Sequence, residues 1–194
     1  MKQPTDKQIE SWARKISESD REAFNCFFRS MYPRLVHFAM RYLRSKAEAC
    51  DIVQDAFVKL WEKRETVDPN RSVKAFIYQI VRNLALNHIR DHSDETVGLD
   101  ELNESSFEPG HNPVPVEEYG EEIDLIKKWI RELPDRQREA FTLSRFDGLD
   151  HDEIAGVMEI SSNTVNNHIV SALDYLRKRW EDYQQQLNNT LRYD

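Results

Sequence analysis

The 194-residue sequence has little glycine, little cysteine and no long apolar run. Its five glycines are fewer than a sheet-rich fold with many tight turns needs. No apolar stretch approaches the ~18 residues of a membrane span, and the N-terminal residues show no signal-peptide pattern. Cys26 and Cys50 fall in separate helical patterns and form no Cys-x-x-Cys pair. We therefore expect a cytoplasmic protein with free thiols and no direct membrane insertion.

The stretch from Asp91 to Asp124 lacks lysine and arginine altogether and holds twelve acidic residues. The net charge of −8 arises there, because the rest of the chain has 23 acidic residues against 27 basic ones. A negative net charge over the whole chain would exclude nucleic acid as a partner, but the part of the chain outside this stretch is net positive and does not. Proline and glycine are frequent in this stretch, which favours a flexible acidic linker over 93–121. The linker would join a domain at 1–92 to a domain at 122–194.

Both predicted domains have the spacing of apolar residues that is typical of helices, so we expect an all-α fold of two small helical domains. In the first domain, Ser19 and Glu22 resemble a capping box that opens the second helix. Pro33 is expected to break that helix or to begin a new segment. A third helix is expected over 47–63 and a fourth over 72–90. The fourth helix is predicted to face inward with Val73, Ile77, Ile80, Leu84 and Ile89.

The second domain contains two short helices separated by a turn, which is the helix-turn-helix pattern. Asp150 and Glu153 form a capping box for a helix over 152–158, and a last helix runs from Ser162 to beyond Trp180. The polar residues predicted to enter a DNA groove are Ser162, Asn163, Thr164, Asn166, Asn167, His168 and Ser171. Asparagine suits adenine, because its amide group can both donate and accept at that base. A plain helical corner in a bundle is the alternative interpretation.

Two helices of the first domain carry polar faces. The segment DIVQDAFVKLW places Asp51, Gln54 and Asp55 on one helical face, opposite an apolar stripe. The segment FIYQIVRNLALNHIR combines basic, amide and aromatic residues, a set that suits single-stranded DNA. Ordinary solvated helix surface is the alternative for each face.

Together these motifs resemble the extracytoplasmic-function (ECF) sigma factors of the sigma-70 family, which are bacterial initiation subunits of RNA polymerase. The family has a DIVQD.F..LW helix followed by an F.Y.I.RN.A....R helix, and both occur here. It also has a later LP.RQRE segment and a helix-turn-helix pattern, matched from Leu133 to Arg177. The resemblance covers about 22–178 and rests on both motifs in this order, separated by a linker.

The resemblance implies the partners and the role of each surface. Core RNA polymerase would be bound through Asp51, Ile52, Gln54, Asp55 and Val58. The minus-ten promoter element would be melted and captured by Tyr78, Gln79, Arg82, Asn83, Leu86 and Arg90, together with the loop at 64–71. The helix-turn-helix would read the minus-thirty-five element as duplex DNA, and its apolar face would hold the polymerase flap. An anti-sigma factor is implied as a further partner, and the free protein is expected to be a monomer.

Other function classes fit the sequence less well. Only His88 and His92 have a spacing that suggests a metal site, and no glycine-rich phosphate loop is present, so we expect neither an enzyme nor a cofactor. A stand-alone regulator that binds operators as a dimer would share the helix-turn-helix. A helical adaptor with a degenerate DNA-binding corner would need no DNA at all. Neither alternative explains the polar faces of the first domain or the charged linker.

Overall fold

The computed structural model describes residues 4–66, 72–93 and 121–190. Within these ranges the chain forms eight α-helices and one short 3-10 helix, and it has no β-strand. The helices group into two compact units, α1 to α4 and α5 to α8. The predicted linker lies outside the described residues, except that Ser93 ends α4 and Glu121 begins α5. No helix in the described ranges is both long enough and apolar enough to cross a membrane.

The first unit is a bundle whose helices pack around one aromatic and aliphatic core. Its elements are α1 (Asp6–Ser17), α2 (Arg21–Ala39), α3 (Lys46–Glu62), the 3-10 helix (Arg64–Thr66) and α4 (Val73–Ser93). The largest fully buried side chains are Ile16, Phe27, Met31, Leu35, Phe38, Leu60, Ile77 and Tyr78. The core therefore draws on all four α-helices of the unit, which fixes them against one another. Of the predicted loop at 64–71, only the 3-10 helix is among the described residues.

The start of α2 differs from the sequence prediction by one residue. Asp20, and not Ser19, is the N-cap, and its Oδ1 accepts hydrogen bonds from the backbone N–H groups of Glu22 at 2.8 Å and Ala23 at 3.0 Å. Ser19 has a positive φ of 67° and ends the preceding helix, where its N–H donates to the carbonyl of Ile16. A left-handed residue at this point turns the chain from α1 into α2.

Pro33 lies inside a continuous α2, so the prediction of a break at this residue was wrong. Proline removes one helical hydrogen bond and costs about 3 kcal/mol in a helix interior. The flanking residues Met31 and Leu35 are both fully buried. Burying such side chains contributes about 1.5–3 kcal/mol each, so tertiary packing offsets the local cost and the helix continues.

The second unit contains α5 (Glu121–Arg131), α6 (Asp135–Arg145), α7 (His151–Met158) and α8 (Ser162–Thr190). Its buried residues include Leu133, Leu143, Ile154, Met158 and Val165. Arg138 joins α5 to α6, because its Nη1 donates to the carbonyls of Arg131 at 2.9 Å and Leu133 at 3.1 Å while its Nη2 contacts Asp135. The LP.RQRE segment therefore has a structural task, which is to satisfy the last carbonyls of α5.

The buried face of α4 is rotated from the predicted one. Its buried side chains are Val73, Lys74, Ile77, Tyr78, Val81, Arg82 and Ala85, whereas Ile80, Leu84 and Ile89 are half-buried. The sequence of α4 is apolar around most of its circumference, so the periodicity alone allowed more than one inward face. Tyr78 selects the observed one, because its ring lies 4.9 Å from that of Phe38 in the core.

Candidate nucleic-acid and partner-binding surfaces

The polar face of α3 is an exposed stripe at helical spacing. Asp51, Gln54, Asp55 and Val58 are all exposed, and their separations of three or four residues place them along one side of the helix, with Gln54 and Asp55 adjacent. Val58 is 56% exposed although it is aliphatic and its helix is otherwise well packed. Ser45 and Glu48 fix the start of α3 in a capping box. The stripe is therefore a rigid surface with three polar groups and one apolar group available to a partner.

Ile52, which the resemblance implied as a polymerase contact, does not share the exposed stripe. It is only 9% exposed and lies on the packed side of α3 with Val53 and Ala56. It follows Asp51 in sequence but is rotated by about 100° around the helix, which takes it out of the exposed stripe. Its role in the structure is therefore packing.

Tyr32 of α2 is a neighbour of the α3 stripe that sequence reasoning missed. The pKa of its hydroxyl is raised, chiefly by a hydrogen bond with the Cys50 side chain and then by burial, while Gln54 also contacts it. Its ring packs 5.0 Å from that of Phe28. Because these contacts join two helices, only the three-dimensional structure brings Tyr32 to the edge of the stripe.

The exposed face of α4 differs from the predicted set. Tyr78 is 0% exposed and Arg82 is 7% exposed, so neither presents its side chain on an open face. Gln79, Asn83 and Leu86 are half-buried and Arg90 is exposed. These four residues follow one another at three- or four-residue spacing and share one side of the helix.

Phe76 extends that side of α4 by one turn. It is half-buried and precedes Gln79 by three residues, so it occupies the same face. The sequence contained the signal, since Phe76 begins the FIYQIVRN segment. The aromatic residue of this face is therefore Phe76, whereas Tyr78 belongs to the core.

The turn between α7 and α8 is built by backbone and side-chain caps. Asp150 and Glu153 form the predicted capping box at the start of α7. Glu159 ends α7 in the left-handed conformation, with a φ of 57°, at a position where glycine is the usual residue. The N–H of Ile160 donates to the carbonyl of Ala155 at 3.1 Å, and Ser161 Oγ accepts from the N–H of Thr164 at 3.1 Å. The helix-turn-helix prediction is confirmed in its geometry.

The caps separate the predicted groove-facing residues of α8 into two sets. Ser162 Oγ donates to Asp152 Oδ1 at 2.6 Å, and the hydroxyl of Thr164 lies 2.8 Å from that of Ser161. These two hydroxyls hold the corner together. The exposed members are Asn163, Asn166, Asn167 and Ser171, and His168 is half-buried. Val170, which was not predicted, shares this face and is 47% exposed.

A three-residue network ties the later part of α8 to α5. Glu132 accepts hydrogen bonds from the Tyr175 hydroxyl at 2.9 Å and from Arg179 Nη2 at 2.6 Å. These two bonds lower the pKa of Glu132, the Tyr175 bond being the larger cause. Burial and the same carboxylate raise the pKa of Tyr175. The guanidinium of Arg179 also lies 5.9 Å from the ring centre of Trp129, so the network fixes α8 beside α5.

The spacing of His88 and His92 brings their rings together but gives no metal site. Their ring centres are 4.2 Å apart, and His88 Nε2 lies 3.7 Å from Glu48 Oε1. His92 Nδ1 lies 2.8 Å from the carbonyl of His88. Across the ranges that the structure describes, no three histidine, cysteine or acidic side chains converge as metal ligands would.

Comparison with known protein families assigns both units. Residues 27–95 match Sigma-70 region 2, and residues 123–176 match Sigma-70, region 4. The first match spans most of α2, α3 and α4, and the second spans α5 to the middle of α8. The helix-turn-helix corner and the polar faces described above all lie within these two matches.

Two relatives resemble the chain over most of its length. RNA polymerase sigma-H factor of Pseudomonas aeruginosa is 25% identical over 182 residues, which cover 90% of this chain and 94% of the relative. ECF RNA polymerase sigma-E factor of Escherichia coli K12 is 26% identical over 166 residues, which cover 81% of this chain and 86% of the relative. Each alignment therefore extends over both units of this chain and is not confined to one motif.

Solved structures show the same fold. CnrH, solved in complex with the cytosolic domain of CnrY, has a TM-score of 0.61 at 19% identity and covers 90% of this chain and 98% of its own. The sigma factor RpoE of Bartonella quintana, solved in complex with the anti-sigma factor NepR, has a TM-score of 0.59 at 21% identity. That match covers 81% of this chain and 96% of RpoE.

The matches to region 2 and region 4 identify a DNA-binding transcription initiation factor built from two helical units. Within that class, this chain belongs to the sigma-70 family, as an ECF sigma factor. It is an alternative sigma factor that directs promoter-specific transcription with RNA polymerase.

Proposed function

We propose that this sigma factor docks on the largest subunit of core RNA polymerase through the exposed α3 stripe: Asp51, Gln54, Asp55 and Val58. The observation that carries the proposal is the exposure of all four side chains on a helix whose other side is packed. A stripe of two carboxylates and an amide that ends in one aliphatic residue suits a mainly polar interface with a small apolar contact. Ile52 is left out of this surface, because it packs inside the unit.

The α4 face then captures the minus-ten element as an opened strand. Phe76 supplies an aromatic surface on which an unpaired base can stack, and Gln79 and Asn83 supply amide groups for base edges. Leu86 and Arg90 complete the face toward the end of α4. The proposed face omits Tyr78 and Arg82, which the resemblance implied, because both side chains are buried in the bundle and do not present themselves to a base.

The exposed amides at the start of α8 read the minus-thirty-five element as duplex DNA. Asn163, Asn166 and Asn167 can each form paired hydrogen bonds with adenine in the major groove, and Val170 can contact a thymine methyl group. Ser162 and Thr164 position the helix through the cap contacts instead of reading bases. Phe146, which is 62% exposed beside the corner, is available for the flap of the polymerase.

The proposed function also includes a division of labour between the two domains and control by a partner protein. Domains at 1–92 and 122–194 act on separate promoter elements, joined by the acidic linker at 93–121. An anti-sigma factor holds the protein inactive, by analogy with the RpoE relative that was solved with NepR. The free protein is a cytoplasmic monomer, and its linker charge disfavours DNA binding in the absence of polymerase.

Binding of fluorescently labelled full-length protein to core polymerase tests the docking surface. The double substitution Gln54→Ala and Asp55→Ala should lower the affinity at least tenfold, because it removes two of the three polar groups of the stripe. The matched control is Glu181→Ala with Gln185→Ala, which removes one exposed acid and one exposed amide from α8. Equal affinity of the α3 variant and the control for core would contradict the assignment, provided that both show the helical content of the wild type.

A further inference from the structure

The α4 face has few accessible cations for a surface that binds nucleic acid. Lys74 is 5% exposed and Arg82 is 7% exposed, so both are withdrawn into the bundle. Arg90, at the far end of α4, is the exposed arginine of this helix. Proteins that hold single-stranded DNA combine stacking residues with a positively charged groove along the backbone. The phosphates next to α4 therefore need cations from a neighbouring element.

The second half of α2 and the turn after it supply such cations. From Ala23 to Ala47 the sequence contains no acidic residue and five basic ones, in a chain with an excess of acids. They are Arg29, Arg34, Arg41, Arg44 and Lys46. Arg29, Arg44 and Lys46 are exposed, and Arg34 and Arg41 are half-buried.

Packing places this basic segment directly beside α4. Phe38 of α2 lies 4.9 Å from Tyr78 of α4, ring centre to ring centre. The guanidinium of Arg41 lies 5.4 Å from the ring centre of Phe38, so Arg41 is close to the seam between the two helices. Arg34 lies in the second half of α2, and Arg41 and Arg44 follow in the turn after that helix, so the three cations occupy one continuous segment that reaches the seam.

We propose that Arg34, Arg41 and Arg44 form a phosphate-binding stripe that holds the backbone of promoter DNA while its bases engage α4. The inference rests on the proposed function of α4. Charge complementarity identifies the occupant, since a segment with five cations and no acid matches a polyanion. The stripe supplies affinity and strand path, and the amides and Phe76 of α4 supply base contacts.

The salt dependence of DNA binding tests the stripe. Full-length protein bound to core polymerase is titrated with a promoter fragment that the wild type transcribes, at several salt concentrations. The affinity falls with salt, and each lost phosphate contact makes the plot of log affinity against log salt less steep, by about 0.7 on single strands and about 0.9 on duplex. The triple substitution Arg34→Gln, Arg41→Gln and Arg44→Gln should therefore flatten the slope by about 2 to 3. Its affinity for core should equal that of the wild type.

The control carries the same change of net charge on another helix. Lys7→Gln, Arg14→Gln and Lys15→Gln remove three exposed cations from α1, where Glu10 and Glu18 are interspersed. An equal loss of slope in both triple variants would show a general charge effect and overturn the stripe, as would an unchanged slope in the α2 variant. Weaker binding to core at an unchanged slope would assign the stripe to a protein contact and also overturn the inference.

A second variant guards against a failure to fold. Arg44 lies outside α2, in the turn, so Arg44→Glu alone leaves the helix intact and should still flatten the slope by about 1. The choice of fragment separates the proposed function from the stripe. If the wild type with core transcribes no genomic fragment, the proposed function fails; if it transcribes one and the variants match its salt slope on that fragment, only the stripe fails.

Discussion

Two aromatic residues of α4 stand two positions apart and have opposite surroundings. Tyr78 is fully buried against Phe38, whereas Phe76 is half-buried on the face proposed to bind DNA. Tyr78→Ala should lower the free energy of unfolding by about 3–5 kcal/mol, since it leaves a cavity in the core. Phe76→Ala should cost far less stability and should reduce promoter opening, because an unpaired base loses its stacking partner.

Denaturant unfolding measures the first effect, and permanganate reactivity of unpaired thymines in complexes with core polymerase measures the second. A Phe76→Ala protein that opens promoters as well as the wild type would remove Phe76 from the DNA surface. The burial of Tyr78 could not be predicted from its type, because tyrosine is common both in cores and at binding surfaces.

Asn167 is the residue on which base choice at the minus-thirty-five element is expected to depend. Asn167→Ala should change the preference among upstream sequences by about 1–3 kcal/mol at one base pair, because it removes a paired hydrogen bond. Core affinity should not change. Competitive transcription from a pool of randomised upstream elements measures the preference, with Asn188→Ala as the control, an exposed asparagine near the other end of α8. A uniform loss on every element would mark Asn167 as structural instead.

At the scale of helices, features set by neighbouring residues in the sequence were predictable, whereas features set by packing between helices were not. The capping box of Asp150 and Glu153 predicted the start of α7, since it depends on neighbours in sequence only. Gly148, with a φ of 64°, turns the chain between α6 and α7, in a left-handed conformation that glycine adopts more readily than other residues. Continuation through Pro33 was not predictable, because it follows from the burial of Met31 and Leu35 by other helices.

The candidate binding surfaces divide in the same way, into those that residue spacing predicts and those that packing decides. The three polar residues of the α3 stripe followed from spacing, because the opposite side of that helix is a clear apolar stripe, whereas Val58 was implied only by the family resemblance. The exposed face of α4 did not follow, because apolar residues surround most of that helix and packing against Phe38 decides its rotation. Ser162 and Thr164 have the residue types of DNA contacts, but the caps of the corner use their hydroxyls.

The contact between α5 and α8 is expected to weaken in acid. The hydrogen bonds from Tyr175 and Arg179 lower the pKa of Glu132, so its carboxylate stabilises the folded unit at a pH above the unfolded value of about 4.3. This contribution is lost as the pH falls through the lowered folded value. Glu132→Gln should therefore reduce the melting temperature at pH 7 and converge with the wild type in strong acid.

Thermal unfolding of the full chain between pH 7 and pH 3 measures the difference. Glu122→Gln is the control, since Glu122 is an exposed acid at the start of α5, the helix that Glu132 directly follows. A gap between Glu132→Gln and wild type that stays constant down to pH 3 would contradict the role of the charged carboxylate.

For the whole molecule, the distribution of charge matters more than its sum. The net charge of −8 comes from the segment between Asp91 and Asp124, while 23–47 is purely basic among its charged residues. The α3 stripe contributes Asp51 and Asp55 to one surface of the first unit, and the basic stripe runs from Arg34 of α2 into the turn after that helix. In the proposed function, one small unit thus offers separate surfaces to a protein partner and to DNA.

The central claim is that these surfaces act together only on RNA polymerase. Run-off transcription from a library of genomic fragments, with purified bacterial core polymerase in the presence and absence of this protein, tests it most directly. The account predicts discrete transcription starts that occur only with the protein and share two upstream elements. An absence of new starts, together with specific binding of duplex DNA by the protein alone, would contradict the account and indicate a stand-alone regulator.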